Sequence, residues 1–66
     1  MSIVVNGKPH ACGDAGSLAG LLRELKARPD HVATLVNDRV VPKTDRETLR
    51  LCEGDRVEIL MLMGGG

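Results

Sequence analysis

Arg56-Val57-Glu58-Ile59-Leu60-Met61-Leu62-Met63 runs directly into Gly64-Gly65-Gly66, and this stretch guides the interpretation of the whole chain. Its first eight residues predict a β-strand. Period-2 alternation places Val57, Ile59, Met61 and Met63 on one face and Arg56, Glu58, Leu60 and Leu62 on the other. The second face becomes apolar just before the glycines. This predicts either an exposed hydrophobic patch for a partner at Leu60 and Leu62 or a surface that loop residues cover.

The three glycines predict a flexible C-terminal tail, residues 64–66, behind a single domain of residues 1–63. Glycine has no Cβ, so the tail is thin enough for a narrow channel, and it reaches about 10 Å when extended. The α-carboxylate of Gly66 is ionised at neutral pH. We expect an enzyme to activate this carboxylate; the alternative is an ordinary frayed end.

The N-terminal part predicts a β-hairpin. Ile3-Val4-Val5 is β-branched, Asn6-Gly7 is a strong hairpin turn signal, and residues 8–12 form the return strand. Pro9 lacks a backbone N–H, which places it on an edge strand or at the start of a strand.

One helix follows the hairpin. Ser17 is a favourable N-cap, and the apolar stripe predicts an amphipathic helix that ends at Arg28-Pro29-Asp30. The stripe has i, i+3, i+4, i+7 spacing: Leu18, Leu21, Leu22 and Leu25.

The remaining segments predict further strands. Residues 32–36 and 40–41 are apolar and flank an Asn37-Asp38 turn, and Leu49 and Leu51 anchor a polar connection before a turn at residues 53–55. The order predicts an α+β fold with a mixed four- to five-stranded sheet and one main helix on one face. With the first and last strands parallel at the centre, this is the β-grasp, or ubiquitin-like, fold.

Composition excludes several function classes. Nine basic and nine acidic residues balance, and Phe, Tyr and Trp are absent, so neither a basic surface nor aromatic stacking favours nucleic-acid binding. No apolar stretch approaches the ~20 residues of a membrane span, and the N-terminus lacks a secretory signal. We therefore expect a cytoplasmic protein with no membrane partner.

The two cysteines do not form a recognised motif. Cys12 and Cys52, combined with His10 and His31, match no usual zinc-finger spacing, so we expect no metal site. We interpret each cysteine as a small core hydrophobe. A two-iron ferredoxin is excluded because its cluster requires four cysteines.

The chain resembles the small bacterial sulfur-carrier proteins of thiamin biosynthesis, the ThiS family. The resemblance spans nearly the whole chain and rests on an ordered set of segments: Ile3-Val4-Val5-Asn6-Gly7-Lys8, Ser17-Leu18 with Leu21-Leu22, Val36-Asn37-Asp38, Val40-Val41-Pro42-Lys43, Glu53-Gly54-Asp55-Arg56-Val57-Glu58-Ile59 and Met63-Gly64-Gly65-Gly66. Many family members carry an aromatic residue near Asp45-Arg46-Glu47, and this chain does not.

The resemblance implies a mechanism and a set of partners. A ubiquitin-activating-like adenylyltransferase of the ThiF type would bind Leu60, Leu62 and Met63, pass Gly64 and Gly65 through its channel, and adenylate Gly66 with ATP. A sulfur donor such as a cysteine desulfurase persulfide would convert the adenylate to a thiocarboxylate, and a thiazole synthase of the ThiG type would accept the sulfur. The chain itself would be a carrier, without a bound cofactor and without enzymatic activity.

Other functions remain open at this point. The small subunit of molybdopterin synthase and carriers for other sulfur routes share the same chemistry. A ubiquitin-like protein modifier would use the same tail to form isopeptide bonds, and a plain binding module would not use the tail at all. A monomer suits a carrier that visits two partners, but the sequence leaves the oligomeric state open.

Overall fold

A computed structural model describes residues 1–12 and 16–62 of the chain. Within them the chain forms five strands, one α-helix and two short 3₁₀ turns: β1 (Ser2–Val5), β2 (Lys8–Ala11), α1 (Leu18–Glu24), a turn at Pro29–His31, β3 (Val32–Val36), β4 (Arg39–Val41), a turn at Lys43–Asp45, and β5 (Arg56–Met61). In this part of the chain no helix is long and apolar enough to cross a membrane.

The five strands form one mixed sheet in the order β2-β1-β5-β3-β4. β1 and β5 are parallel, with Val5 opposite Val57, and the other neighbours are antiparallel. β2 is an edge strand, so Pro9 lies where a missing N–H is tolerated. The predicted β-grasp arrangement, with the first and last strands parallel at the centre, is confirmed.

Both hairpin turns are tied to the central strand by asparagines. Asn6 and Gly7 have φ values of 50° and 80°, and Asn37 and Asp38 have 50° and 69°, as type I′ turns require. The Asn6 Oδ1 accepts a hydrogen bond from the N–H of Ile59 at 2.8 Å. The Asn37 Oδ1 accepts one from the N–H of Arg56 at 2.9 Å. Each asparagine therefore both forms a turn and fixes the register of β5.

Helix α1 packs on one face of the sheet. The Ser17 hydroxyl accepts a hydrogen bond from the N–H of Gly20 at 3.0 Å, which confirms the predicted N-cap. The core consists of buried aliphatic side chains from the helix and sheet and the Cys12 thiol: Ile3, Cys12, Leu18, Leu21, Val36, Val41, Leu51 and Val57. Leu49 packs partly buried against it, so the predicted anchoring by Leu49 and Leu51 is confirmed.

The helix ends earlier than the sequence predicted. Lys26 adopts a left-handed conformation with φ of 59°. Its N–H donates to the carbonyl of Arg23 at 3.1 Å, and the N–H of Ala27 donates to the carbonyl of Leu22 at 2.9 Å. This is the Schellman C-cap, which usually has glycine at the left-handed position. The prediction that Leu25 completes the buried stripe is wrong, because Leu25 is the C-cap residue and is exposed.

Arg46 is the unexpected member of the interior. It lies in the connection predicted to be polar, yet only 5% of it is exposed. Its guanidinium donates from Nε to the Thr34 hydroxyl at 3.1 Å, from Nη1 to the carbonyl of Pro29 at 2.8 Å, and from Nη2 to the carbonyl of Val32 at 2.8 Å. Its own carbonyl accepts from the N–H of Ala19 at 3.0 Å. Arg46 thus joins the helix, the first 3₁₀ turn and β3.

Candidate functional site

The end of β5 is held firmly up to the last described residue. β3 pairs with β5 as far as Val32 opposite Met61. β1 pairs with β5 only as far as Val57, and the N–H of Ile59 donates its hydrogen bond to the Asn6 side chain instead. The N–H of Leu62 then donates to the carbonyl of His31 at 2.9 Å. Leu62 is therefore held against the sheet and the first 3₁₀ turn.

The sheet face opposite the helix carries an apolar surface next to this point. Leu60 and Leu62 are 50% and 57% exposed, so loop residues do not cover them. On β3, Ala33 lies opposite Leu60. Leu35, also on β3, lies opposite the exposed Val40 of β4. We call Leu60 and Leu62 the open-face patch. Its exposure agrees with one of the two interpretations of the sequence, and its role in binding a partner remains a prediction.

Met61 departs from the expected inward face. Val57 is buried and Ile59 is partly buried, but Met61 is 73% exposed. The alternation of β5 is regular, so Met61 still points to the helix side of the sheet. It is exposed because α1 ends at Glu24 and does not extend over it. An apolar side chain that the pattern assigned to the core therefore lies at the surface.

A groove with a basic rim occupies the helix side of the same strand end. Its volume is about 470 Å³, and its lining contains three basic side chains and no acidic one: Asn6, Lys26, Ala27, Arg28, His31, Val32, Ile59 and Met61. We call it the basic groove. The sequence does not reveal this groove, because its basic residues lie at a helix cap and in a 3₁₀ turn, where no regular spacing places them on one face.

The remaining predicted site residues lie outside the described part of the chain. They are Met63 and the three glycines, Gly64, Gly65 and Gly66, together with the boundary between domain and tail. Leu60 and Leu62 are thus the predicted site residues whose positions are established. Leu62 is the last described residue, and Leu60 lies two residues before it.

Neither cysteine nor His10 lines the basic groove or belongs to the open-face patch. Cys12 is buried, as predicted, whereas Cys52 is exposed and is not a core residue as predicted. The His10 Nε2 lies 3.3 Å from the Glu24 carboxylate at the far end of α1 from the N-cap. Among residues 1–12 and 16–62, no three His, Cys, Asp or Glu side chains are grouped so as to hold a metal ion.

Comparison with known proteins gives a consistent result. Residues 3–66 match the ThiS family. The whole chain aligns at 35% identity with 93% of an uncharacterized protein, ycf40, of Pyropia yezoensis. It also aligns at 36% identity with 20% of a thiazole synthase of Magnetococcus marinus.

Solved structures agree with this assignment. The crystal structure of a thiamine biosynthesis protein, ThiS, from Geobacter metallireducens has a TM-score of 0.85 to this chain at 35% identity, with both chains covered completely. The match includes the five-stranded mixed sheet and the single helix. The chain therefore belongs to the ThiS family.

Proposed function

We propose that this chain is a sulfur carrier in thiamin biosynthesis and that the carboxylate of Gly66 carries the sulfur. The observation that supports this most directly is the exposed open-face patch at the end of β5, immediately before the glycine run. Membership of the ThiS family supports the same role. The proposal requires Gly66 to present a free α-carboxylate.

The chemistry begins with an adenylating partner of the ThiF type. An oxygen of the Gly66 carboxylate attacks the α-phosphate of ATP, forming an acyl-adenylate and releasing pyrophosphate. Hydrosulfide then attacks the acyl carbon and AMP leaves with the bonding electron pair, giving the thiocarboxylate. A persulfide donor, such as one from a cysteine desulfurase, forms an acyl disulfide instead, which a thiol reduces to the same thiocarboxylate.

The chain supplies a substrate group and a docking surface in this scheme. Gly64 and Gly65 let the tail pass through a narrow channel, because neither carries a Cβ. Leu60 and Leu62, with Met63, bury apolar surface against the activating partner. ATP is bound by that partner, and the proposed carrier holds no cofactor and catalyses no step.

The sulfur acceptor we propose is a thiazole synthase of the ThiG type. The whole chain is similar to a fifth of proteins named thiazole synthase, from Magnetococcus marinus and Paramagnetospirillum magneticum. Similarity to a segment of longer synthase chains is what we expect of a carrier that delivers its sulfur to a synthase of this kind. We place this function in the cytoplasm, where ATP and the sulfur donor are available.

Intact mass spectrometry tests the proposal. The chain is incubated with ATP, sulfide and the host's ThiF-type enzyme, beside a variant lacking Gly66 and a Gly65→Leu variant. We expect a mass change corresponding to one oxygen replaced by sulfur in the unaltered chain and none in either variant. The variants should fold normally, since residues 64–66 follow the last strand. An unchanged mass with an enzyme that is active on a known carrier would favour protein tagging or non-covalent binding instead.

A further inference from the structure

The basic groove has a charge distribution that the proposed function does not explain. Lys26, Arg28 and His31 line it and are exposed, and its lining contains no Asp or Glu. Within residues 1–12 and 16–62, none of the three has a carboxylate within 4 Å, whereas Arg23, Lys43 and Arg56 each have one. In a chain whose formal charges balance, this is a local excess of positive charge.

The floor of the groove is apolar and incompletely covered. Val32 is buried beneath it, Ile59 is partly buried, and Met61 is 73% exposed. An exposed methionine between basic side chains suits a surface that another protein covers, since its flexible thioether adapts to different shapes. The groove thus offers an apolar contact with two cationic side chains, Lys26 and Arg28, at its rim.

The location of the groove links it to the tail. His31, on its rim, accepts the hydrogen bond from Leu62, the last described residue. Met61 faces the groove, while Leu60 and Leu62 face the opposite side of the same strand. A partner that receives residues 63–66 would meet the basic groove on one side of this strand and the open-face patch on the other.

The backbone at Lys26 supports a role for its side chain. Lys26 holds the left-handed position of the helix cap, which glycine occupies at lower energetic cost. Strained backbone conformations cluster at functional sites, so keeping lysine instead of glycine here fits a role for its side chain.

We propose that the basic groove binds an acidic segment of the enzyme that activates the tail, with an apolar side chain of that segment covering Met61. The inference rests on the proposed function for the identity of the partner and on charge complementarity for its chemistry. Contacts between opposite charges at the rim of an interface mainly accelerate association and make it sensitive to salt.

The test measures binding and chemistry separately. The dissociation constant of the full chain for the ThiF-type enzyme is measured by calorimetry at low and high salt, for Lys26→Glu, Arg28→Glu and Arg39→Glu. Arg39 is a matched control because it is exposed, lies outside the described ion pairs, and stands on β4 opposite Val36, which pairs with Val57 near the start of β5. Circular dichroism verifies that each variant is folded, and intact mass reports thiocarboxylate formation.

We expect Lys26→Glu and Arg28→Glu to raise the dissociation constant roughly fivefold each at low salt, with a reduced salt dependence, and Arg39→Glu to leave it unchanged. Folded Lys26 and Arg28 variants that bind as tightly as the unaltered chain would overturn the inference. Tighter binding by them would assign the groove to the chain's own tail carboxylate, which also overturns the inference. Binding with this pattern, but without thiocarboxylate, would support the groove and refute the sulfur chemistry.

Discussion

Replacing Arg46 by methionine should destabilise the fold, and the structure gives the magnitude. The guanidinium donates three hydrogen bonds, to the Thr34 hydroxyl and to the carbonyls of Pro29 and Val32. None of these acceptors is a carboxylate. Hydrogen bonds from a charged donor contribute about 2 kcal/mol each, or about 6 kcal/mol for three. Burying the charge costs several kcal/mol, taken here as about 4. Methionine fills a similar volume, so we expect a net loss of about 2 kcal/mol in the free energy of unfolding.

A loss of this size is large for 66 residues, because domains of this length have a total stability of about 3–10 kcal/mol. The assay is urea unfolding followed by far-UV circular dichroism, since the chain has no aromatic residue to report by fluorescence. We expect a lower midpoint with an unchanged m-value. Arg39→Met, at an exposed position, should change the free energy by less than about 0.5 kcal/mol.

Equal or greater stability of the Arg46→Met variant would refute the reasoning. It would mean that the cost of desolvating the guanidinium exceeds the value of its hydrogen bonds, as happens when some buried ion pairs are replaced by apolar residues. A double-mutant cycle with Thr34→Val separates one bond from the others. Coupling of about 1 kcal/mol is expected between the two positions, which are in direct contact.

Three further predictions concern the surface and the helix cap. Leu60→Asp should weaken binding to the proposed ThiF-type partner by about tenfold or more in calorimetry. Thr44→Asp, which adds the same charge on an exposed 3₁₀ turn, should not, and equal effects of the two would show that charge alone is responsible. Lys26→Gly should stabilise the fold by about 1 kcal/mol in urea unfolding, because glycine suits the left-handed cap, and a destabilised variant would contradict this account of the cap. Cys52 should react with a thiol reagent as fast as a free thiol in the native protein and Cys12 only on unfolding; rapid native labelling of both would contradict the burial of Cys12.

The sheet was predictable from sequence because each strand carries a local signal. Asn6-Gly7 and Asn37-Asp38 mark two-residue turns, and strand residues flank them, so the two antiparallel hairpins follow from the local sequence. The end of the helix was not predictable, because Lys26 occupies a position where the usual signal is glycine. Arg28-Pro29-Asp30 was therefore the first visible stop, four residues too late.

Burial at three other positions depended on contacts distant in sequence. Arg46 is buried because the carbonyls of Pro29 and Val32 accept hydrogen bonds from its guanidinium. These residues are 17 and 14 positions away, so no local sequence pattern predicts the contact. Met61 has the alternation of a core residue, but the shorter helix leaves it exposed. Cys52 was assigned to the core by residue type alone, and it lies exposed in the loop before β5. For the candidate site, alternation predicted that Leu60 and Leu62 share the outer face of β5 but left their exposure open, and the basic groove required the tertiary structure.

The central position of β5 has a consequence for how the chain is made. Until residues 56–61 leave the ribosome, β1 and β3 have no common neighbour, and the nascent chain holds two separate hairpins that share no strand. Isolated hairpins are marginally stable at best, so the sheet must assemble after its middle strand has been synthesised. The sheet therefore assembles only after residues 56–61 have been synthesised, and a protein cut short before residue 56 should be cleared by proteases.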